Sequence, residues 1–237
     1  MRPLALEALW LSLQVALLAL ALSAPLAIAL AAWMARTRWP GRLLLDTLIL
    51  LPLGLPPAVT GFVLLLGLQP DAPLGFWLER HLGWRPGIYP VGAALAATLM
   101  TLPLMVRMLR PAFEACDPLL IPVARTLGAS AWRAWWTISL PLARPAVIAA
   151  LALGLAVAWG ESGATLVLAA ALAPPHGATV PVALLQALQQ HPQGNEAAWE
   201  LAGVSLGVAI VAVLISEWGR QHWRRLRPPL SPRGRAS

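Results

Sequence analysis

Five apolar runs constrain this chain more than any other feature. They cover roughly residues 9–35, 43–68, 89–109, 145–173 and 201–218. Each is about 18 residues or longer, enough at ~1.5 Å per helical residue to cross a hydrocarbon core about 30 Å thick. Composition points the same way, since 59% of residues are hydrophobic and only 11% are charged. A soluble domain carries about 25% charged residues. An ordinary soluble globule is therefore excluded, and disorder, which needs low hydrophobicity, is excluded with it. A single cysteine, Cys116, excludes a disulfide scaffold. The chain reads as an all-α integral membrane bundle of about five transmembrane helices. The first run is longer than the ~7–15 apolar residues of a signal peptide, so it is read as a retained helix.

Every basic residue is arginine, and the net charge is +7. The arginines sit between apolar runs and in the tail, which marks topology and argues against a nucleic-acid surface. Arg36, Arg38 and Arg42 follow the first run. Arg107, Arg110, Arg125, Arg133 and Arg144 lie at or between the facing ends of the third and fourth. Arg220, Arg224, Arg225, Arg227, Arg233 and Arg235 follow the fifth. Only Arg2, Arg80 and Arg85 fall on the other side. The positive-inside rule puts the N-terminus outside and the C-terminus in the cytoplasm. Trp33, Trp39, Trp77, Trp84, Trp199, Trp218 and Trp223 lie near run ends, where indole rings prefer the headgroup level. Residues 1–220 read as one transmembrane domain, and 221–237 as a basic cytoplasmic tail.

Catalysis has no support in the residues. A phosphate-binding loop ending in Lys cannot exist in a chain without lysine. His81, His176, His191 and His222 are scattered without metal-ligand spacing. No Ser/His/Asp set assembles, so no catalytic residue, metal site or bound cofactor is expected.

The stretch 111–144 is the most informative loop. Asp117-Pro118 suits a helix start and Gly128 a helix stop. Ser130 can cap a second short helix, delimited by Pro141 and Pro145. The expected object is a small knob outside the membrane, read either as a docking element or as a solvated connector.

Two apolar runs carry irregularities. Pro52, Gly54, Pro56, Pro57 and Gly61 interrupt the second, and a broken helix is tolerated in a membrane where it is buried or lines a cavity. Glu161 lies inside the fourth, close to Gly160 and Gly163. A carboxylate there must face protein or water. It repels an oxyanion, which leaves three roles: a gate element, a hydrogen-bond anchor for another helix, or a protonated group. As an anchor it would tolerate Gln. Thr165, one turn on, can present its hydroxyl on the same face.

These segments together carry a resemblance. Ala124, Gly128, Ile138 and Leu140-Pro141 match the spacing of the cytoplasmic loop of bacterial ABC-importer permeases, E-A-A-x3-G-x9-I-x-L-P. The run Ala124-Arg125-Thr126-Leu127-Gly128-Ala129 resembles the A-R-T-L-G-A of molybdate permeases and their sulfate relatives. Leu55-Pro56-Pro57-Ala58-Val59-Thr60-Gly61-Phe62-Val63-Leu64-Leu65 resembles their L-P-P-x-V-x-G-x-x-L-L, Pro103-Leu104-Met105-Val106-Arg107 their P-L-M-V-R, and Gly160-Glu161-Ser162-Gly163-Ala164-Thr165 their G-E-F-G-A-T. Thr179-Val180-Pro181 resembles their T-I-P, and Leu214-Ile215-Ser216-Glu217-Trp218 a tail of some members. Two departures stand out. Pro122 and Val123 occupy the first two positions of the E-A-A triplet, so its acidic residue is missing, and Ser162 stands where the family has Phe.

The resemblance implies a type I ABC-importer permease in the bacterial inner membrane. Its loop would form a coupling helix, with Leu119, Ala124, Arg125, Leu127, Gly128, Ala129, Ile138, Leu140 and Pro141 as the coupling residues. The partners implied are two copies of an ABC ATPase, which alone would bind ATP-Mg, an extracellular or periplasmic oxyanion-binding protein, and a second copy of this chain. Pro56, Pro57, Thr60, Gly61, Glu161, Ser162, Gly163 and Thr165 would line or gate the pathway. The implied cargo is an oxyanion, molybdate first, with sulfate, tungstate, thiamine or ferric iron as alternatives in the same superfamily. An ion-coupled secondary transporter using Glu161 as a proton carrier is the alternative of another class.

Overall fold

The computed structural model describes residues 3–37, 40–69, 71–83, 89–117, 119–172, 178–190, 194 and 196–226. All regular elements among them are helices. The order is α1 (Pro3–Arg36), α2 (Arg42–Gly54), α3 (Pro57–Gly67), α4 (Pro73–Leu82), α5 (Tyr89–Glu114), α6 (Leu120–Thr126) and α7 (Ala131–Ala134). A π-helical turn (Trp135–Ser139) leads into α8 (Leu140–Gly160), followed by α9 (Gly163–Leu172), α10 (Val180–Gln190) and α11 (Glu196–Leu226). Arg2, Arg38, Trp39, Trp84, Arg85, Pro118, His176, His191 and the tail beyond Leu226 lie outside the described residues.

Four helical stretches are long and apolar enough to cross a membrane, and the bent pair α2–α3 makes a fifth if counted as one span. Four of the five expected spans are thus present, the fifth rests on counting the bent pair as one, and two of the runs are not simple rods. The second bends by 105° between α2 and α3. Leu55 and Pro56 are both extended, at φ −86°, ψ 148° and φ −55°, ψ 130°. Each precedes a proline, and the proline ring pushes the residue before it out of the helical region. The fourth run was expected to be continuous over 145–173. It stops at Gly160 and restarts at Gly163.

Pro141 and Pro145 do not delimit a short helix as expected. The helix begun by α7 passes through both into α8, a stretch of 30 residues from Ala131 to Gly160. The turn before Pro141 widens, so that the Leu140 N–H donates to the Trp135 carbonyl five residues back. Such a bulge relieves the clash that a proline ring makes with the preceding turn. Two short helices, α4 and α10, went unread because each is only 10 or 11 residues long.

The bundle is built on α1, α5 and α8, with α11 laid along α8. Alanine makes the close approach possible. Ala16, Ala19, Ala27 and Ala31 of α1, Ala93, Ala94, Ala96 and Ala97 of α5, and Ala143, Ala149 and Ala150 of α8 are wholly buried. Small side chains let backbones approach where lipid offers no hydrophobic drive between helices. Gly219 of α11 is the extreme case, since a Cβ there would lie 2.6 Å from the Pro145 carbonyl oxygen. The core has two parts. One joins the N-terminal half of α1 to the start of α5 and to α9 and α10. The other joins the C-terminal half of α1 to the end of α5 and the start of α8.

Candidate functional site

The loop motif and the two broken spans fall in different places, and the structure brings the breaks together. α3 packs on α9. At Gly61 a Cβ would lie 2.7 Å from both Cα and O of Ala164, and at Gly163 it would lie 2.3 Å from Cβ of Pro57. Both distances are below any real Cβ contact, so the pair of half-helices fits only with glycine at both positions. Pro57, Gly61, Gly163 and Ala164, some hundred residues apart in sequence, are thus one contact. Pro56 and Pro57 are exposed in the isolated chain, while Thr60 and Gly61 are buried. The Thr60 Oγ1 is buried and has no hydrogen-bond partner among the described residues.

Glu161 closes the second break. It is buried, 8% exposed. Its Oε1 accepts from the Ala164 N–H and its Oε2 from the Thr165 N–H, both at 2.9 Å. The Thr165 hydroxyl donates back to the Glu161 carbonyl at 2.8 Å. Those two N–H groups lie in the first turn of α9, where no intrahelical carbonyl can reach them. A carboxylate there satisfies both and matches the positive end of the helix dipole. Ser162 is exposed beside it. The partner of Glu161 is therefore the next helix of its own chain.

The loop 111–144 forms a knob at the end of α5. The Asp117 carboxylate accepts from the Leu119 N–H at 2.8 Å and begins the turn into α6. Gly128 has φ +89°. The Gly128 N–H donates to the Arg125 carbonyl and the Ala129 N–H to the Ala124 carbonyl, each at 3.0 Å, the paired bonds of a glycine-terminated helix. The Ser130 hydroxyl then accepts from the Arg133 N–H at 3.2 Å and caps α7. Stop and restart thus lie where the sequence places them, while the helix starts two residues later than Asp117-Pro118 suggests, at Leu120.

Helix α6 buries none of its residues. Leu119, Val123 and Leu127 are exposed, Leu127 by 83%, with Arg125 and Gly128 beside them. Ala124 and Ala129 are half-buried. Ile138 and Leu140 are half-buried and Pro141 exposed, one step away in the run into α8. An apolar patch on so short a helix marks a contact surface more often than a free one. Beneath the knob lies a cavity of about 500 Å³ lined by Arg36, Glu114, Cys116, Leu120, Ile138 and Ser139 among others. The Arg36 guanidinium donates to the Ser139 hydroxyl at 2.5 Å, joining the end of α1 to the start of α8. Burial pushes the Cys116 thiol up from its ordinary value, against the opposing field of Arg36.

The sequence reading missed two features near the knob. Trp132 and Trp135 stack, Trp136 meets both edge-on, and the three line a cavity of about 550 Å³ against α1. Arg42, Asp46, Arg110 and Glu114 form an ion-pair cluster between α2 and the end of α5. The spacing of four within each helix was a legible signal for the second feature. The pairing of the helices was not.

The comparisons agree on one family. The family model described as "binding-protein-dependent transport system inner membrane component" matches residues 24–218. The chain is 39% identical over 218 residues to the molybdenum transport system permease protein ModB of Escherichia coli (strain K12), spanning 90% of this chain and 92% of that one. It is 38% identical over 212 residues to ModB of Haemophilus influenzae, with the same two coverages. The sulfate transport system permease protein CysT of Escherichia coli (strain K12) is 35% identical over 145 residues, 61% of this chain and 52% of that one. Among solved structures, a bacterial ABC transporter involved in the import of the acidic polysaccharide alginate aligns with a TM-score of 0.60 at 15% identity, over 96% of this chain and 82% of that one. That likeness carries the fold alone.

Proposed function

The chain belongs to the family of binding-protein-dependent transport system inner membrane components, and on that premise we propose that it imports an oxyanion, molybdate first, as the permease subunit of an ATP-driven complex. The observation that carries the cargo is the likeness to the two ModB proteins over nine-tenths of this chain. The CysT likeness supports sulfate as the second reading. The competing secondary transporter loses its footing, because it offers no reason for the loop or for the family. ATP and Mg act on the partner ATPase and not on this chain.

Residues 1–220 serve as the permease domain and 221–237 as a basic tail, with the N-terminus outside and the C-terminus in the cytoplasm. α11 continues as far as Leu226, so the start of the tail extends the last helix. Leu119, Ala124, Arg125, Leu127, Gly128 and Ala129 form the coupling helix, supported by Ile138, Leu140 and Pro141. Their bare apolar surface is what a groove on an ATPase would cover. Full burial of a leucine such as Leu127 contributes about 1.5–3 kcal/mol. The missing acid of the triplet removes one polar contact from that dock and leaves the apolar ones.

The exposed break at Leu55–Pro56 supports a pair of permeases. Backbone carbonyls at the end of a helix cannot face lipid unpaired, and irregular backbone in a span must be covered by protein or water. A second copy across a two-fold axis along the membrane normal covers that face. Pro56, Pro57, Thr60, Gly61, Ser162, Gly163 and Thr165 then lie at or next to the pathway, and Glu161 holds the wall. Two coupling helices driven together by two ATPases would rock the pair between inward- and outward-facing states. The oxyanion arrives on its binding protein.

Vesicles holding this chain with its ATPase test the proposal when loaded with ATP and given binding protein and radiolabelled molybdate. ATP-dependent uptake, displaced more weakly by sulfate, is expected. Uptake of sulfate in preference to molybdate selects the second reading, and uptake without the ATPase refutes the class. Gly128→Trp tests the dock, because Gly128 has positive φ and stands on the exposed turn. It is expected to insert normally and fail to co-purify with the ATPase, and a normal complex would refute the coupling helix.

A further inference from the structure

Helix α2 is held in an unusual way for a membrane helix. None of its residues is buried. Leu45 and Ile49 reach the core only at its edge. Between α2 and α5 lies a cavity of about 410 Å³, lined by Asp46, Ile49, Val106, Arg107, Arg110 and Glu114 among others. What spans this loosely packed contact is charge. Arg42, the first residue of α2, donates to Glu114 Oε1 at 2.7 Å. Arg110 donates to Asp46 Oδ1 at 2.7 Å and to Glu114 Oε1 at 2.8 Å. The two arginines and two carboxylates alternate, two from each helix.

The position of the cluster gives it a role. Glu114 is the last residue of α5 and accepts from both arginines. Asp117, which starts the turn into the knob, follows three residues later. At its other end α2 runs into the 105° break and α3. The knob is thus tied to the bundle at two ends, to Glu114 of α5 and, through α7, to α8, and at the first of these its movement acts directly on the cluster. Partly exposed ion pairs are weak and screened by salt, so the cluster can re-form in a new arrangement where an interlocked apolar core could not.

We infer that Arg42, Asp46, Arg110 and Glu114 are a charged joint that passes movement of the coupling helix to α2, and so to the broken span. The four act as positioning residues. The inference rests on the importer reading above, and it predicts a loss of coupling rather than a loss of assembly.

The test uses the full complex of permease, ATPase and binding protein in vesicles, with two thiol reporters. One is Cys116 on the knob side, the chain's single cysteine. The other is Leu44→Cys, at an exposed position of α2, in a Cys116→Ser chain. Maleimide labelling is timed with and without a non-hydrolysable ATP analogue. With the joint intact, both rates are expected to change on nucleotide binding by about fivefold or more. In Glu114→Gln the change is expected at Cys116 and absent at Leu44→Cys, and molybdate taken up per ATP hydrolysed falls about fivefold or more. Reversing the whole cluster, Arg42→Glu and Asp46→Arg with Arg110→Asp and Glu114→Arg, keeps the charges alternating and is expected to restore both readouts, and Arg110→Asp alone is not.

An undiminished α2 response in Glu114→Gln, or unchanged uptake per ATP, overturns the inference. So does a reversed cluster that assembles and stays uncoupled. A Glu114→Gln chain that fails to assemble also overturns it, because the cluster would then be a folding element. If the parent complex takes up neither molybdate nor sulfate, the importer reading fails, while the two labelling rates still judge the joint without any substrate.

Discussion

The α2–α3 break and the α8–α9 break each interrupt an apolar run by two residues, in opposite ways. The first is made by Pro56 and Pro57 and left open, with Gly54, Pro56 and Pro57 exposed. Its bend comes from local sterics, because Leu55 and Pro56 each precede a proline. The second contains no proline. It persists because Glu161 satisfies the N–H groups of Ala164 and Thr165 and is buried in doing so. A proline break needs nothing from the rest of the chain, so it can face a partner or a pathway. A carboxylate break needs buried N–H donors to offset its desolvation, so it belongs inside the bundle. The glycine contacts hold the open break against the closed one.

The largest effect is expected at those glycines. Gly163→Leu is expected to force α3 off α9, because even a Cβ would meet Pro57 at 2.3 Å. Overpacking of this kind costs about 1–3 kcal/mol or more. Uptake should be abolished and the thermal transition of the purified complex lowered. Gly163→Ala should show the same defect in weaker form, and normal uptake in both would separate the breaks functionally.

Glu161 gives the next largest effect and sharpens the expectation drawn from sequence. Glu161→Ala leaves two buried N–H groups without an acceptor, at about 1–3 kcal/mol each. As an anchor, Glu161 was expected to tolerate Gln. The geometry revises this, because both carboxylate oxygens accept and an amide has only one acceptor oxygen. Glu161→Gln should therefore fall midway between the parent and Glu161→Ala in thermal stability and in uptake. Equal loss in the two variants would show that charge, and not capping, is what the site needs.

Pro56→Ala probes the open break and should do less. Pro57 still keeps residue 56 extended, so the bend should survive and stability should move by no more than about 1 kcal/mol. A stability loss as large as that of Glu161→Ala would erase the distinction between the two breaks. The smallest effect belongs to Thr60→Val. Removing a buried hydroxyl that lacks a partner should leave stability unchanged or raise it by about 1 kcal/mol. Any loss of uptake in that variant then reports contact between the hydroxyl and the passing ion.

Much of this molecule is local, and what is local could be read from the sequence. The spans follow from the length of the apolar runs. The bend at Leu55–Pro56 follows from the pre-proline restriction, and the turn at Gly128 from a backbone conformation that favours glycine. Asp117 and Ser130 act on N–H groups two and three residues away. What the sequence could not supply is every relation between residues distant in the chain. Nothing local says that Gly61 meets Ala164, that Arg110 reaches Asp46, or that Glu161 turns inward to cap α9 instead of reaching another span. A proline's effect is covalent and travels with its own residue and neighbours. A glycine contact or an ion pair between helices exists only once α1, α5 and α8 have packed and fixed where the shorter helices can lie.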